Sequence, residues 1–251
     1  MIKTVAYFPL QCAQNSRPVM SAALDVLQAS GILTQENSMD SDAAIIWSVL
    51  WHGKMRANKE VYDHYRSQGK PVIIIEVGAL YRGTTWKIAV NNINADGHYG
   101  HTKNLDWKRP SKLGISLAVP VFHRPEILIA AQHQHSLQVS DLPNIEAWIY
   151  KQILRLRSFT DRPIIVRPHP RSTLNTKLLP NDIVFEEPNP LSNTYDSFDM
   201  HFDCHAVVNY NSGPGIQAAI SGTRPIVDRS SLAYPVSVSM AELEQSYDYI
   251  D

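Results

Sequence analysis

The chain has only two cysteines, Cys12 and Cys204, in 251 residues. That number excludes a disulfide-stapled scaffold, and the absence of a CxxC spacing argues against a thiol redox centre. No HExxH motif or Cys/His zinc spacing is present. No apolar run approaches the ~20 residues that a membrane helix needs. The opening MIKTVAYFPLQCAQNS has too short an apolar run for a secretory signal. Low-complexity tracts and internal repeats are also missing. A cytoplasmic location, with no membrane span, is the expectation.

Net charge is nearly absent too, at −1. The balance conceals an asymmetry. Between Trp51 and Arg109 ten Lys/Arg face five Asp/Glu, a surplus of five positive charges; the remaining 13 basic and 19 acidic residues give −6. A basic region on an acidic chain is a possible footprint for a polyanion.

What is present is a series of short β-branched runs. GKPVIIIEVGAL (69–80), DRPIIVRPHP (161–170) and TRPIVDRSS (223–231) share a basic residue, a proline, an apolar run and a charged residue. Proline is tolerated at the first position of a strand, and continuous apolar runs suit strands buried on both faces of a parallel sheet. Residues 3–10, 43–50, 126–132 and 205–212 read as strands as well. Between them RPVMSAALDVLQASG (17–31), NKEVYDHYRSQG (58–69) and LPNIEAWIYKQILRLRSF (142–159) carry helical periods, the first two with a glycine stop. The alternation predicts an α/β protein. The series runs twice, which suggests two Rossmann-like halves with parallel sheets and a cleft between them, residues 1–120 and 121–251.

Ligands of open α/β sheets sit beyond the carboxyl ends of the strands. That rule puts Glu76, Arg167, His169 and Asp228 on the functional rim. Arg167-Pro168-His169-Pro170-Arg171 is a proline-stiffened loop carrying cations, a holder for an anion. VVNYNSGPGIQAAISG (207–222) reads as strand, turn and helix, with Asn211, Ser212, Gly213 and Gly215 in the turn and Gln217 in the helix. The helix N-terminus favours a phosphate, and two glycines permit close approach of a ligand. The turn is neither a Walker A loop nor a GxGxxG fingerprint. Together the two loops would hold the phosphate of a nucleotide.

His169-Pro170 after one strand, followed by a Ser212-Gly213 turn that opens a helix, resembles the donor half of GT-B glycosyltransferases. Bacterial sialyltransferases and capsule-type Kdo transferases show such an HP motif and later serine motif. ILIAAQHQHSLQ (127–138) is similar to the opening strand and loop of that half in capsule-type enzymes. The resemblance covers residues 126–235. It implies sugar transfer from a UDP- or CMP-linked nucleotide sugar, with no further cofactor. It also implies that His169 and Ser212 contact the donor's phosphate; with the cations and turn residues around them, Arg167, Arg171, Asn211, Gly213, Gly215 and Gln217 complete the donor-binding candidates. More loosely, the whole chain is similar to phage proteins suspected of glycosylating DNA bases, which would place it in a host cytoplasm. The C-terminal SMAELEQSYDYID is shorter than the long crossing helix with which that fold usually ends.

The first half interleaves aromatic and basic residues: Trp51, Lys54, Arg56, Arg82, Trp86 and Lys87. Aromatics stack on bases or sugars and cations hold phosphates, so these residues are the acceptor candidates, with double-stranded DNA as the partner. Glu76 and Asp96 are the candidate general bases. Asp40-Ser41-Asp42 spells DxD but precedes a strand, so it reads as a surface turn, and no metal is expected. The alternatives are a capsule- or lipopolysaccharide-type glycosyltransferase, a nucleotide-sugar epimerase, and a non-catalytic nucleotide- or DNA-binding protein.

Overall fold

The computed structural model of the chain describes residues 1–13, 16–81, 83–100, 105–119, 124–189 and 202–245. Two compact units emerge: Met1–Leu105 with His135–Gln138, and Asp106–Gln134 with Val139–Asp251. The second unit thus takes up the chain from Asp106, ahead of the expected division at residues 120 and 121. It also gives four residues, His135–Gln138, back to the first.

The first unit contains β1 (Thr4–Tyr7), α1 (Arg17–Ala29), β2 (Leu33–Glu36), β3 (Ala43–Trp47), α2 (Asn58–Ser67), β4 (Val72–Val77) and β5 (Trp86–Val90). Its sheet runs β2-β1-β3-β4-β5. Alternate residues of β1 and β3 separate the two faces. Ala6, Ala44 and Ile46 pack with Val61 and Tyr65 of α2, whereas Val5, Ala43, Ile45 and Trp47 pack with Met20 of α1. After α1 and α2 the chain reverses at Gly31 and Gly69, at φ +78° and +70°. Only glycine adopts that conformation without strain.

One expectation fails here. The first sheet is not wholly parallel, because β5 runs antiparallel to β4. The reason lies in the connection. Gly78 donates to Thr85 O at 3.0 Å, and Thr84 and Thr85 donate to Tyr81 O, so the eight residues from 78 to 85 close a tight turn. A parallel crossover needs a dozen or more. A Cβ on Gly78 would lie 2.7 Å from Thr85 O, which fixes glycine at the start of that turn.

The second unit contains α3 (Arg109–Lys112), β6 (Ile127–Ala130), α4 (Ile145–Arg157), β7 (Ile164–Arg167), β8 (Val184–Phe185), β9 (Ala206–Asn209), α5 (Gly213–Ile220) and β10 (Arg224–Val227). All its strands are parallel, in the order β10-β9-β6-β7-β8. Asn144 caps α4, its side-chain oxygen accepting from Ala147 N at 2.6 Å. Ile145, Trp148, Ile149, Ile153 and Leu156 then fall on one face and bury against Ile127, Ile129, Ile164 and Val166. The opposite face of the sheet, with Leu128, Ile165 and Val207, receives Ala218 of α5. Pro225 sits in the edge strand β10, where a missing N–H is tolerated.

Candidate functional site

Strand order locates the site within the second unit. From β6 the chain steps outward to β7 and β8, then returns to β9 on the other side of β6. The carboxyl ends of β6 and β9 therefore flank a topological switch point, where open α/β sheets bind ligands. The two loops singled out in the sequence follow β7 and β9. β6 lies between them, so they stand two strand spacings apart, roughly 10 Å.

The loop after β6 fills that interval. Gln132 and Asn211 form a reciprocal pair: Gln132 Nε2 donates to Asn211 Oδ1 at 2.9 Å, and Asn211 N donates to Gln132 Oε1 at 2.8 Å. Asn211 Nδ2 also donates to Ser230 Oγ at 2.9 Å. One residue on, the His133 ring meets the His169 ring edge to face, with centroids 5.2 Å apart. Asn209 makes a second crossing. Its Nδ2 donates to Ala130 O of β6 at 2.9 Å and to Ser212 Oγ at 3.0 Å, and its Oδ1 accepts from Ser212 N at 2.8 Å. These side chains are enclosed: Asn209 is 1% exposed, Gln132 3%, His133 4% and Asn211 4%. Gln132, His133 and Asn209 were not among the sequence candidates. The available signal was a polar residue directly behind or within an apolar strand.

Ser212 is the N-cap residue of α5, with an extended backbone, and its side chain does not cap the helix. Ser212 therefore leaves the first-turn amides without its hydroxyl as acceptor, and they point, with the helix dipole, beyond the switch point. Pro214 stands in the first turn, where its missing N–H costs nothing. Gly215 has a packing task in addition to the one its motif suggested. A Cβ there would meet Val227 Cγ1 at 2.6 Å, so the glycine lets α5 lie close on β10. Gln217 is half-buried farther along α5.

On the other side of β6, His169 Nδ1 accepts from Arg171 N at 3.1 Å. That bond leaves the ring proton on Nε2 as a donor. Arg167, the last residue of β7, pairs instead with Glu186 beyond β8 and lies over the Phe202 ring at 5.7 Å. Its Nε and Nη1 have no hydrogen-bond partner among the described residues. On the α4 side of the sheet, beside Asn209, a cavity of about 490 Å³ is lined by Trp148, Gln152, Tyr210, Asp228, Tyr234 and Glu242, among others.

The acceptor candidates of the first unit fare differently. Trp86 packs on Trp47 with ring centroids 5.2 Å apart. Trp51 is half-buried against Tyr62 at 5.7 Å, and its N–H donates to His135 O. Lys87 donates to Ile93 O at 3.1 Å, and burial pushes its ammonium below the usual lysine range against the opposing pull of Glu76. Lys54 and Arg56 are exposed on the 3-10 turn Gly53–Ala57. Arg82 lies outside the described residues.

Glu76 accepts from Ser48 Oγ at 2.6 Å, from Val49 N at 3.4 Å and from Val77 N at 2.9 Å. It braces the turn after β3, in which Ser48 has φ +65°. Asp96 is exposed and accepts from Asn92 Nδ2 at 2.8 Å. Asp42 of the DxD accepts from Lys3 N and Thr4 N at 2.7 and 3.0 Å, bonds that hold its carboxyl below the usual range. That turn therefore anchors the amino end of β1.

No family model and no curated protein matches the chain. Among solved structures it is similar to the KpsC beta Kdo 2,4 transferase of Thermosulfurimonas dismutans, at TM-score 0.51 and 14% identity, over 97% of this chain and 89% of that one. The beta Kdo 2,7 transferase of the same KpsC gives TM-score 0.45 and 11% identity over 96% and 88%. The chain has a glycosyltransferase fold. No described helix of that fold is long and apolar enough to cross a membrane.

Proposed function

We propose that the chain is a glycosyltransferase of GT-B architecture that moves a sugar from a UDP- or CMP-linked donor to a hydroxyl. The observation that carries this reading is the convergence at the β6/β9 switch point. A helix N-terminus that Ser212 does not cap stands on one side, and His169, its Nδ1 accepting from Arg171 N, stands on the other. A phosphate placed over β6 would receive N–H groups from α5 and the donor of His169. Arg171, and the unspent nitrogens of Arg167, add positive charge. The cavity beside Tyr210 and Asp228 offers room for the nucleoside.

In this reading the leaving phosphate is stabilised by N–H groups and cations without a metal. The acceptor proton goes to Asp96, because Glu76 spends its oxygens on three internal donors. The acceptor is a hydroxymethylated pyrimidine in DNA, met by Lys54 and Arg56 from the basic stretch; Trp51, Trp86 and Lys87 support that surface from within. Such a base would be flipped out of the duplex before reaction.

Incubation with labelled CMP- and UDP-sugars and hydroxymethylated duplex DNA tests the reading, with and without EDTA. Transfer that survives EDTA is expected. Isomerisation of the sugar would indicate an epimerase, and an intact donor a binding protein. Transfer restored only by Mg²⁺ or Mn²⁺ would overturn the metal-free mechanism.

A further inference from the structure

We infer that Gln132 is a positioning residue that aims the phosphate-facing turn, acting through Asn211. The inference rests on the donor reading above and adds a residue that never touches the ligand in it. Gln132 is the second residue beyond β6, and Asn211 the second beyond β9, on either side of the switch point. Their two bonds, at 2.9 and 2.8 Å, form a closed ring between one side chain and a side-chain–backbone pair. Such a ring fixes both the position and the rotation of the residue immediately before the N-cap Ser212. The third bond, from Asn211 Nδ2 to Ser230 Oγ, ties the same residue to the loop after β10, where Ser230 also donates to Asp228 Oδ1 at 2.8 Å. Asn211 is thereby held from three directions, and the backbone leading into α5 has one available course.

The energetics favour a functional role. Two amide side chains at 3% and 4% exposure are costly to bury unless every polar atom is paired. An apolar pair would pack there at less cost, so the polar solution purchases geometry. What it orients is the set of α5 amides, and anion binding at a helix N-terminus depends on where those N–H groups point. Asn209 secures the next step with its bonds to Ala130 O and Ser212 N, so Gln132 and Asn209 grip the turn at successive residues.

The test is calorimetric titration of the full chain with CMP, UMP, UDP and GDP, following whichever binds tightest. Gln132→Met, close in volume but unable to pair, is expected to weaken it by ~10-fold or more. Gln132→Glu retains the acceptor for Asn211 N and is expected to fall between the two. For the matching nucleoside, which has no phosphate for the α5 amides to hold, Gln132→Met is expected to cost less than ~3-fold, because the contact it aims is absent. An unchanged nucleotide affinity, or the same full factor for nucleotide and nucleoside, overturns the inference. If Gln132→Met does not fold, Ser230→Ala removes the third hold on Asn211 from a half-buried site and must itself weaken binding. A wild-type chain that binds none of the four nucleotides overturns the donor reading and this inference together; a wild type that binds while Gln132→Met binds equally overturns this inference alone.

Discussion

The two sheets treat their carboxyl ends in opposite ways. In the second, the residues beyond β6 and β9 are buried amides that bond to each other and to the entry of α5, leaving the helix amides facing outward. In the first, the corresponding positions are closed by packing. Trp86 lies on Trp47, Trp51 on Tyr62, and Glu76 is consumed by Ser48, Val49 and Val77. Polar residues that hold a loop open are a different investment from aromatics that shut one. The contrast teaches that residue type alone does not mark a site: Trp86 and Lys87 pack inward in one unit, while plain amides build the candidate site in the other.

The largest expected effect breaks the comparison at the second sheet. His169→Ala and Ser212→Ala should each weaken nucleotide binding by about 1.5–3 kcal/mol, the worth of a hydrogen bond to a charged group, while thermal unfolding changes little. The matching changes in the first unit, Glu76→Gln and Lys87→Met, should reverse that pattern, lowering the unfolding midpoint and leaving nucleotide affinity intact. Affinity lost from the first-unit variants would erase the distinction between the sheets.

Next comes packing within the second sheet. Gly215→Ala places a methyl 2.6 Å from Val227 Cγ1 and should destabilise by about 1–3 kcal/mol, as overpacking does. Val227→Ala in the same chain should recover part of that loss. A Gly215→Ala variant of wild-type stability would show that packing on β10 does not require the glycine.

A smaller effect sharpens the first unit. If its basic surface meets DNA, Lys54→Ala and Arg56→Ala should each lower the log–log salt slope of duplex binding by about 0.9. Lys87→Ala should not lower it, since its ammonium is turned inward to Ile93 O. Binding that ignores salt would remove DNA as the partner.

The smallest effect concerns the C-terminal segment of the second unit. Glu244 accepts from Arg162 and Thr160, and these bonds hold its carboxyl down at about 2, against an ordinary 4.5. A depressed carboxyl stabilises the fold above its unfolded value, so the contribution is complete above about pH 4.5 and fades as pH falls towards 2. The group is half exposed, and its worth is that of a surface pair, about 0.5–1 kcal/mol. Urea unfolding of Glu244→Gln should show that deficit at pH 7 and a much smaller one near pH 2. His205 acts in the same sense: burial pushes its imidazole below 6.5, so protonation in acid opposes the fold.

Much of the fold was legible because buried parallel strands write themselves as continuous apolar runs. VIII, ILIA, IIV and AVV each became a strand. The strands that escaped were edges. β2 is LTQE, β8 is two residues long, and β5 shows Ile88 to solvent, so none has the apolar continuity of a central strand. Within the site, the HP loop and the SGPG turn stood out through proline and glycine. Gln132, His133 and Asn209 did not, because their roles depend on β9 returning beside β6, a contact across 79 residues that no local pattern encodes. Trp86 and Lys87 stood out as an aromatic beside a cation, but no local pattern told that they lie on the edge strand β5, where Trp86 packs on Trp47 and Lys87 turns to Ile93 O.

The most direct measurement is a crystal structure of the full chain with the tightest-binding nucleoside mono- or diphosphate. The account predicts a phosphate over the carboxyl end of β6, within hydrogen-bond distance of an α5 first-turn N–H and of His169 Nε2. A phosphate bound at the loops after β1 or β3, with α5 and His169 untouched, would contradict it.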